Sequence, residues 1–204
     1  MKGVMLLSGG IDSPVAMHLI SKVHDIEALH FSNGEFAGKE SVDKSILIAK
    51  KLGLTRLMVI DIAHLLKEIA TKCSRKYYFV LMKRFMLRIA EKIALLNECA
   101  FICTGDSLAQ VSSQTMKNLE VVDAVTPMPV LRPLIGYDKE EIILLAKEIG
   151  TFDLSKGPEM CDILGPKHPA TKARLEHVME EEKKINVAAL VDNAVASARW
   201  AAVP

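Results

Sequence analysis

The chain has 204 residues, of which 50% are hydrophobic and 25% charged, as is typical of one globular domain with a substantial core. Its 26 basic and 25 acidic residues nearly cancel, which argues against a general nucleic-acid binder, so any RNA contact would come from a local patch or another chain. No apolar run approaches the roughly 20 residues of a membrane span. The four cysteines form no disulfide framework. We expect no membrane association and a cytoplasmic location.

Apolar runs and helical periodicity alternate along the first half of the chain. The predicted strands are 3–7, 25–31 and 57–62, and the predicted helices are 14–23 and 39–52, the second ending at Gly53. In the second half, the longest periodic stretch is a helix over 77–97, followed by a strand over 100–104 and an extended pair at 130–131. A helix over 138–149 has Asp138 as its N-cap and Gly150 as its stop. Residues 171–199 are predicted to be helical, with a break near Asn186.

This alternation predicts an α/β fold, a parallel sheet with helices on both faces. Such sheets bind ligands at the carboxyl ends of their strands. The loops that follow Leu7, His30 and Thr104 are predicted to meet at that edge. We find no internal repeat and no linker, so the sequence predicts a single domain.

The segment Ser8-Gly9-Gly10-Ile11-Asp12-Ser13 joins the first predicted strand to the first predicted helix. Adjacent glycines let the backbone approach a ligand closely, and amides at a helix N-terminus attract anions. Because Ser8 and Ser13 add hydroxyl donors, the segment predicts a phosphate-binding loop. Asp12 would repel a bare phosphate, so its carboxylate is interpreted as a ligand of Mg²⁺, directly or through a bound water. The alternative is an ordinary turn in which Asp12 and Ser13 cap the helix.

This loop resembles the SGGxDS signature of the PP-loop ATP pyrophosphatases, and it is not a Walker A loop because no Gly-Lys-Ser/Thr follows. Members of that superfamily adenylate a substrate oxygen, expel pyrophosphate and let a nucleophile displace AMP. The resemblance implies a Rossmann-like PP-loop fold of the adenine nucleotide alpha hydrolase type, with ATP and Mg²⁺ as ligands.

Three further segments, 81–90, 104–119 and 131–139, resemble the PP-loop domain of one branch, the ThiI family of tRNA 4-thiouridine synthetases. The most specific is the stretch from Gly105 to Thr115. The resemblance runs from residue 1 to about residue 199, and it implies a sulfurtransferase.

The resemblance also implies an ATP site, drawn from several segments, of Leu6, Leu7, Ser8, Gly9, Gly10, Asp12, Ser13, His30, Phe31, Lys83, Gly105 and Gln114. Asp12 and Lys83 would be catalytic, since Lys83 can neutralise phosphate charge as the bond to pyrophosphate breaks. Gln114 can hydrogen-bond a base or ribose. The alternatives are a solvated helix face for Lys83, a hydrogen-bonded core histidine for His30 and a loop-stabilising role for Gln114.

Cys161 is the third catalytic residue that the resemblance implies, because the family's cysteine in a matching Glu-x-Cys segment assists sulfur release. It lies in the Gly- and Pro-rich stretch 157–169. Cationic neighbours such as Lys167 can lower the pKa of a cysteine and make it a nucleophile. The alternative is an inert loop cysteine. The other three are predicted to be structural: Cys73, Cys99 and Cys103.

Full-length family members carry a tRNA-gripping THUMP module, and many carry a rhodanese domain. We expect neither here, and we interpret residues 1–204 as one PP-loop ATP pyrophosphatase domain with a helical C-terminal extension at about 171–199. The expected partners are tRNA, held through a separate THUMP-type protein or subunit, a persulfide or sulfide donor, and a second copy in a homodimer. A local basic cluster either meets RNA phosphates or is a solvated helix face: Lys72, Arg75, Lys76, Lys83, Arg84 and Arg88.

The expected function is ATP-dependent adenylation of a carbonyl oxygen with pyrophosphate release, activating a tRNA uridine for 4-thiouridine synthesis. One alternative is adenylation or thiolation of a small molecule, including sulfur delivery toward the thiamine thiazole, which the neutral net charge favours. The other is a non-catalytic ATP-binding subunit, against which the intact Asp12, Lys83 and Cys161 argue.

Overall fold

A six-stranded sheet forms the centre of the computed structural model, which describes residues 1–34, 40–108, 114–156 and 164–204. The strands are β1 (Lys2–Leu6), β2 (Asp25–Ser32), β3 (Arg56–Asp61), β4 (Phe101–Cys103), β5 (Val130–Leu131) and β6 (Arg199–Ala202). Their order across the sheet is β5-β4-β1-β2-β3-β6. The first five strands are parallel, as predicted, whereas β6 runs antiparallel to β3, so the sheet is mixed.

The helices are α1 (Asp12–Ser21), α2 (Glu40–Lys51), α3 (Ala63–Lys72), α4 (Tyr78–Leu96), α5 (Met116–Asp123), α6 (Lys139–Glu148), α7 (Phe152–Ser155), α8 (Leu175–Glu182) and α9 (Val187–Ala196), with a 3-10 turn at Arg75–Tyr77. Helices α3, α4, α5, α8 and α9 pack on one face of the sheet, and α1, α2 and α6 pack on the other. Helices on both faces were predicted from the alternating pattern, and the structure confirms them.

Strand β1 shows why the sheet is covered on both sides. Its neighbouring residues Val4 and Met5 are buried in the two opposite core layers, because successive strand side chains point to opposite faces. From β1 the chain adds β2 and β3 on one side, then returns to place β4 and β5 on the other. The order in which strands are added therefore reverses between β1 and β4, and sheets of this type bind ligands at that point.

The helix-end signals of the sequence are confirmed at α6. The Asp138 side chain accepts a hydrogen bond from the amide of Glu141 at 2.9 Å, and the Glu141 carboxylate accepts one from the amide of Asp138 at 2.8 Å. Gly150 follows this helix with φ +71°, and Gly53 follows α2 with φ +77°. Glycine adopts this left-handed conformation without steric cost, which explains why both helices end where the sequence predicts.

The C-terminal region corrects the prediction of a helix over 171–199. Two helices lie in this range and are separated at Asn186, as predicted, but Arg199 already belongs to β6. The backbone of β6 pairs with β3, some 140 residues earlier in the chain, and no local pattern announces such pairing. The apolar face of α9 packs on the chain's own core through Leu190, Val191 and Ala194.

Two helices that the sequence analysis did not predict, α3 and α5, complete one face of the sheet. Among the residues that the structure describes, no helix is long and apolar enough to cross a membrane.

Candidate active site

The predicted phosphate loop connects β1 to α1 and is held in shape by its own serines. The Ser13 hydroxyl accepts a hydrogen bond from the Ser8 amide at 2.8 Å and lies 2.9 Å from the Ser8 hydroxyl. The Ser8 hydroxyl also accepts one from the Gly10 amide at 3.2 Å. The two hydroxyls that the sequence analysis assigned to the phosphate therefore fix the loop's curvature in this structure.

Two side chains from other elements contact the outer side of this loop. The Ser155 hydroxyl at the end of α7 donates to the Gly10 carbonyl at 3.1 Å. The Lys44 side chain lies against Gly9, where an added Cβ would meet its Cδ at 3.0 Å, and its ammonium donates to the Ser155 carbonyl at 3.0 Å. A side chain at Gly9 would therefore require the Lys44 side chain to shift slightly.

Gly105, the predicted site residue after β4, packs directly on the phosphate loop. A Cβ at this position would lie 2.7 Å from both the Cα and the amide nitrogen of Ser13. Those atoms are backbone and cannot move aside without shifting α1, so only glycine fits here. This contact joins the carboxyl ends of β1 and β4 at the switch point of the sheet.

A cavity of about 640 Å³ opens at this edge of the sheet. It brings together eleven of the twelve predicted ATP-site residues, all except Gly9: Leu6, Leu7, Ser8, Gly10, Asp12, Ser13, His30, Phe31, Lys83, Gly105 and Gln114. Apolar side chains form another part of the wall: Leu29, Phe79, Met82, Met86, Leu87 and Val122. A polar end beside an apolar wall is the arrangement expected of a site that binds both a phosphate chain and a planar base.

Asp106 is the most connected polar side chain in the cavity wall, and the sequence analysis did not single it out. It accepts hydrogen bonds from Lys83 at 2.5 Å, Thr104 at 2.8 Å and Gln114 at 3.3 Å, and it pairs with Arg132 at 3.3 Å. Only 7% of the residue is exposed. One buried carboxylate thus holds two cations and an amide at the same wall.

These contacts determine the protonation state of Asp106. Burial alone would raise the pKa of this carboxyl. The ion pair with Lys83, the charge of Arg132 and the hydrogen bond from Thr104 outweigh burial and hold the pKa well below its usual range. Asp106 is therefore ionised throughout the neutral range and carries the negative charge that pairs with both cations beside the cavity.

Signals for Asp106 and Arg132 were present in the sequence. Each lies just beyond the carboxyl end of a parallel strand, Asp106 three residues after β4 and Arg132 immediately after β5. Both also lie inside segments that carry the family resemblance. Sequence reasoning missed them because it assigned roles only to positions where the resemblance implied one.

The structure shows where the side chains of Lys83 and Gln114 lie, for each of which the sequence allowed two interpretations. Lys83 faces the cavity and Asp106, which rules out the solvated helix face. The Gln114 amide nitrogen bonds Asp106, whereas its oxygen is buried without a hydrogen-bond partner among the residues that the structure describes. A buried acceptor on a cavity wall is suited to a ligand N–H or O–H donor.

The His30 side chain is a hydrogen-bonded core histidine, the alternative considered from the sequence. Its Nδ1 lies 3.0 Å from the Leu7 carbonyl oxygen and 3.0 Å from the Ser45 hydroxyl. Burial lowers the pKa of His30, so the ring is neutral at physiological pH. Any contact with a nucleotide would come from the part of His30 that borders the cavity.

The cysteines fall into two groups. Cys73, Cys99 and Cys103 are free thiols and buried. Burial raises the pKa of Cys73 to about 11 and that of Cys103 to about 12, which makes these thiols poor nucleophiles. Cys161, the predicted catalytic cysteine, lies outside the described residues.

Asp12 begins α1 and lies on the cavity wall, half-buried. In the part of the chain that the structure describes, no group of three His, Cys, Asp or Glu side chains could hold a metal by itself. Nucleotide-bound Mg²⁺ needs only one or two protein carboxylates, because phosphates and water supply its other ligands. A single carboxylate at the phosphate loop fits that requirement.

Comparisons with known proteins agree with this geometry. The family model described as "Thiamine biosynthesis protein (ThiI)" matches residues 1–187. A probable tRNA sulfurtransferase of Alkaliphilus oremlandii (strain OhILAs) is 41% identical over 201 residues, covering 95% of this chain and 51% of the relative. A probable tRNA sulfurtransferase of Thermoanaerobacter sp. (strain X514) is 43% identical over 199 residues, covering 94% of this chain and 52% of the relative. The chain therefore spans about half the length of the curated relatives it matches.

Among solved structures, a 4-thiouridine synthetase in complex with RNA and with bound ATP superposes with a TM-score of 0.93 at 36% identity, covering 100% of this chain and 55% of that one. The U34-tRNA thiolase NcsA from Methanococcus maripaludis reaches a TM-score of 0.60 at 17% identity, covering 96% and 70%, and shares the fold alone. The fold is thus that of the PP-loop thiolases. With most of its length matched by the family model, the chain belongs to the ThiI family.

Proposed function

We propose that this chain is an ATP pyrophosphatase that adenylates O4 of a tRNA uridine and thereby prepares C4 for sulfur. The observation that carries the proposal is the single cavity that combines the loop from Ser8 to Ser13, two cations held by Asp106 and an apolar wall. The likeness to a 4-thiouridine synthetase solved with RNA and ATP supports this choice of substrate.

In the first step, the uridine O4 attacks the α-phosphorus of ATP. A P–O bond forms, the bond to the pyrophosphate oxygen breaks, and the proton leaves from N3 of the base. Lys83 and Arg132 flank Asp106 on the cavity wall, where they can neutralise the charge that develops on the leaving pyrophosphate. Mg²⁺, held by Asp12 and the phosphates, would supply further charge neutralisation.

In the second step, sulfur from a persulfide or sulfide attacks C4. The C4–O bond breaks, and AMP leaves with the oxygen that was O4 of the uridine. When the donor is a persulfide, C4 is left joined to the carrier by an S–S bond, which a second thiol breaks by forming a disulfide with the carrier, and an external thiol then reduces that disulfide. Cys161 is proposed either to carry this sulfur or to be the second thiol that resolves the intermediate. Because Cys161 lies outside the described residues, its role remains a prediction.

The partners are proposals as well. The chain covers about half of its relatives' length. A THUMP-type module on a separate protein or subunit is proposed to grip the tRNA. A homodimer and a cytoplasmic site of action remain expectations of the resemblance.

Pyrophosphate release from ATP and Mg²⁺, with and without unmodified tRNA, tests the proposal. The wild-type chain should release pyrophosphate and AMP, faster with tRNA. Asp12→Asn should lower the rate by at least about 100-fold, because the metal loses its protein ligand. Denaturant unfolding should show that this variant is folded, so that its loss of rate can be assigned to the site.

Asp192→Asn is the matched control, because this exposed carboxylate on α9 pairs with Lys92 at the surface, away from the cavity. It should retain the wild-type rate. Release of ADP and phosphate would contradict the proposal. Pyrophosphate release that tRNA does not stimulate would instead favour the small-molecule substrate, including a thiamine precursor.

A further inference from the structure

The basic cluster noted in the sequence divides into two parts in the structure. Arg84 and Arg88 both pair with the buried Glu182, at 2.8 and 2.6 Å, and anchor α8 to α4. Lys83 belongs to the cavity. Lys72 pairs with Glu68 one helical turn away, at 2.7 Å. Among the described residues, only Arg75 and Lys76 of the cluster are exposed and form no salt bridge.

These two residues lie beside a second basic segment, residues 164–174, which we call the strap. The Arg75 guanidinium donates to the Leu164 carbonyl at 2.8 Å. The Ala170 amide donates to the Lys76 carbonyl at 2.8 Å. The strap contributes three exposed cations of its own: Lys167, Lys172 and Arg174. We call these three, with Arg75 and Lys76, the basic rim.

The strap is fixed in place by the buried side chain of Asn118. Its amide donates to the Ala170 carbonyl at 2.7 Å, and its oxygen accepts from the Ala173 amide at 2.9 Å. The Thr115 hydroxyl donates to the Thr171 carbonyl at 2.6 Å. A strap held by side chains of α5 and its N-cap presents its cations in a defined arrangement, which lowers the entropic cost of binding.

The rim concentrates positive charge in a chain whose net charge is close to zero. Residues 73–77 and 164–174 carry five Lys or Arg side chains and no carboxylate. Because the whole chain has a formal net charge of +1, all the other residues together carry −4. Glu181, a carboxylate in contact with this region, accepts from the Ser74 amide and pairs with Lys184. A patch of one sign on an otherwise acidic chain attracts a polyanion locally.

The rim also leads into the reaction cavity. Four strap residues line the cavity that holds the phosphate loop: Gly165, Pro166, Lys167 and Pro169. A polyanion bound along the rim would therefore place one of its units at the cavity mouth, beside the proposed site of adenylation.

We propose that the basic rim binds the phosphate backbone of the RNA strand whose uridine enters the cavity. This inference rests on the proposed function, because it takes the substrate to be a nucleotide within RNA. The rim positions the strand through phosphates, and the cavity selects the base. The five cations contact a chain of phosphates, so binding depends steeply on salt.

The test compares the affinity of the wild-type chain and two triple variants for unmodified tRNA over a series of salt concentrations. The rim variant Lys76→Gln, Lys172→Gln, Arg174→Gln leaves the cavity-lining Lys167 intact. The control Lys22→Gln, Lys50→Gln, Lys139→Gln removes three exposed lysines from the opposite side of the sheet. The rim variant should bind tRNA about tenfold or more weakly, and the slope of log affinity against log salt should fall by about 2 to 3. The control should match the wild type, and all three should bind ATP equally.

Equal affinity of the rim and control variants for tRNA would overturn the inference, as would a wild-type chain that binds no tRNA at low salt. If the rim variant lost binding to polyglutamate while its affinity for tRNA stayed unchanged, the inference would be overturned in favour of an acidic protein partner. Pyrophosphate release, measured separately, distinguishes the two proposals. If tRNA binding depends on the rim but no pyrophosphate forms, the rim stands and the proposed function fails.

Discussion

Asp106 concentrates the electrostatics of the site in one side chain. It is buried, and its partners come from α4, from its own loop, from the N-terminal side of α5 and from the residue after β5. Without this carboxylate, Lys83 and Arg132 would repel each other at the cavity wall. A buried charge with several hydrogen-bonded partners is costly to disrupt, because each remaining partner is left desolvated and unpaired.

Asp106→Asn should therefore lower the free energy of unfolding at pH 7 by on the order of 3 kcal/mol. Because the pKa of Asp106 is depressed in the folded protein, its ionised form stabilises the fold above the unfolded pKa of about 4. This contribution is lost as pH falls through the folded-state pKa. Denaturant unfolding should be measured from pH 7 down to pH 3. The difference in free energy of unfolding between variant and wild type should be constant above about pH 5 and should narrow as the pH falls below about 4.

Asp123→Asn is the control for this experiment, since it removes the other carboxylate of Arg132 and leaves Lys83 paired. Asp123 is 39% exposed, so its loss should cost about 1 kcal/mol or less. Equal costs for the two variants, or a difference that does not change with pH, would contradict the central role of Asp106.

At the scale of the elements, the site depends on the contact between the loops that follow β1 and β4. Gly105 is the point of contact, with its Cα turned toward the backbone of Ser13. The strands bring these loops together because β1 and β4 are paired in register, with Met5 opposite Cys103. The sheet therefore positions the phosphate loop from two sides.

Gly105→Ala should push the two loops apart, because its Cβ would come within 2.7 Å of the Ser13 backbone. We expect a cost of about 1 to 3 kcal/mol in the free energy of unfolding and weaker ATP binding. Gly136→Ala is the matched control, since nothing lies within 4 Å of its added Cβ. The control should change stability by about 1 kcal/mol or less. Calorimetric ATP binding that is the same in both variants would rule out the loop contact as a determinant of the site.

Element prediction succeeded where local chemistry decides and failed where distant contacts do. The N-cap at Asp138 and the glycine after α6 are local, and both were predicted correctly. Strand β6, by contrast, forms only because β3 offers a free edge, and its sequence Arg-Trp-Ala-Ala has no alternating pattern. Helix α5 did have a local signal, because the Thr115 hydroxyl accepts from the Asn118 amide as an N-cap, but its eight residues are too few for a clear period.

The sequence predicted many of the residues that line the cavity, but not the contacts between their side chains. The motif around Asp12 and the positions of Lys83, Gly105 and Gln114 identified the cavity wall before any coordinates. The sequence could not show that Lys83 and Gln114 meet at Asp106, because that contact joins residues far apart in the chain. It also left two interpretations of His30 open: the structure shows the buried hydrogen bonds of the ring, and a contact between His30 and a nucleotide stays a prediction.

At the scale of the whole molecule, the two sides of the sheet have different roles. The side of α4, α5 and α8 carries Lys83, the strap and the basic rim, while the side of α1 and α2 supports the phosphate loop from behind. The cavity opens at the edge where the strand order reverses, so both sides contribute to one wall. Under the proposed function, RNA would approach from one side while the loop holds ATP, so that the base and the α-phosphate meet in the cavity.

The fate of the uridine oxygen is the most direct test of this account. Unmodified tRNA that carries ¹⁸O at O4 of its uridines would be incubated with the chain, ATP, Mg²⁺ and sulfide, and the AMP would be analysed by mass spectrometry. The account predicts ¹⁸O in the AMP phosphate and none in the pyrophosphate, because O4 attacks the α-phosphorus and leaves with AMP when sulfur takes its place. Thiolated tRNA formed together with unlabelled AMP, or with ADP, would contradict it.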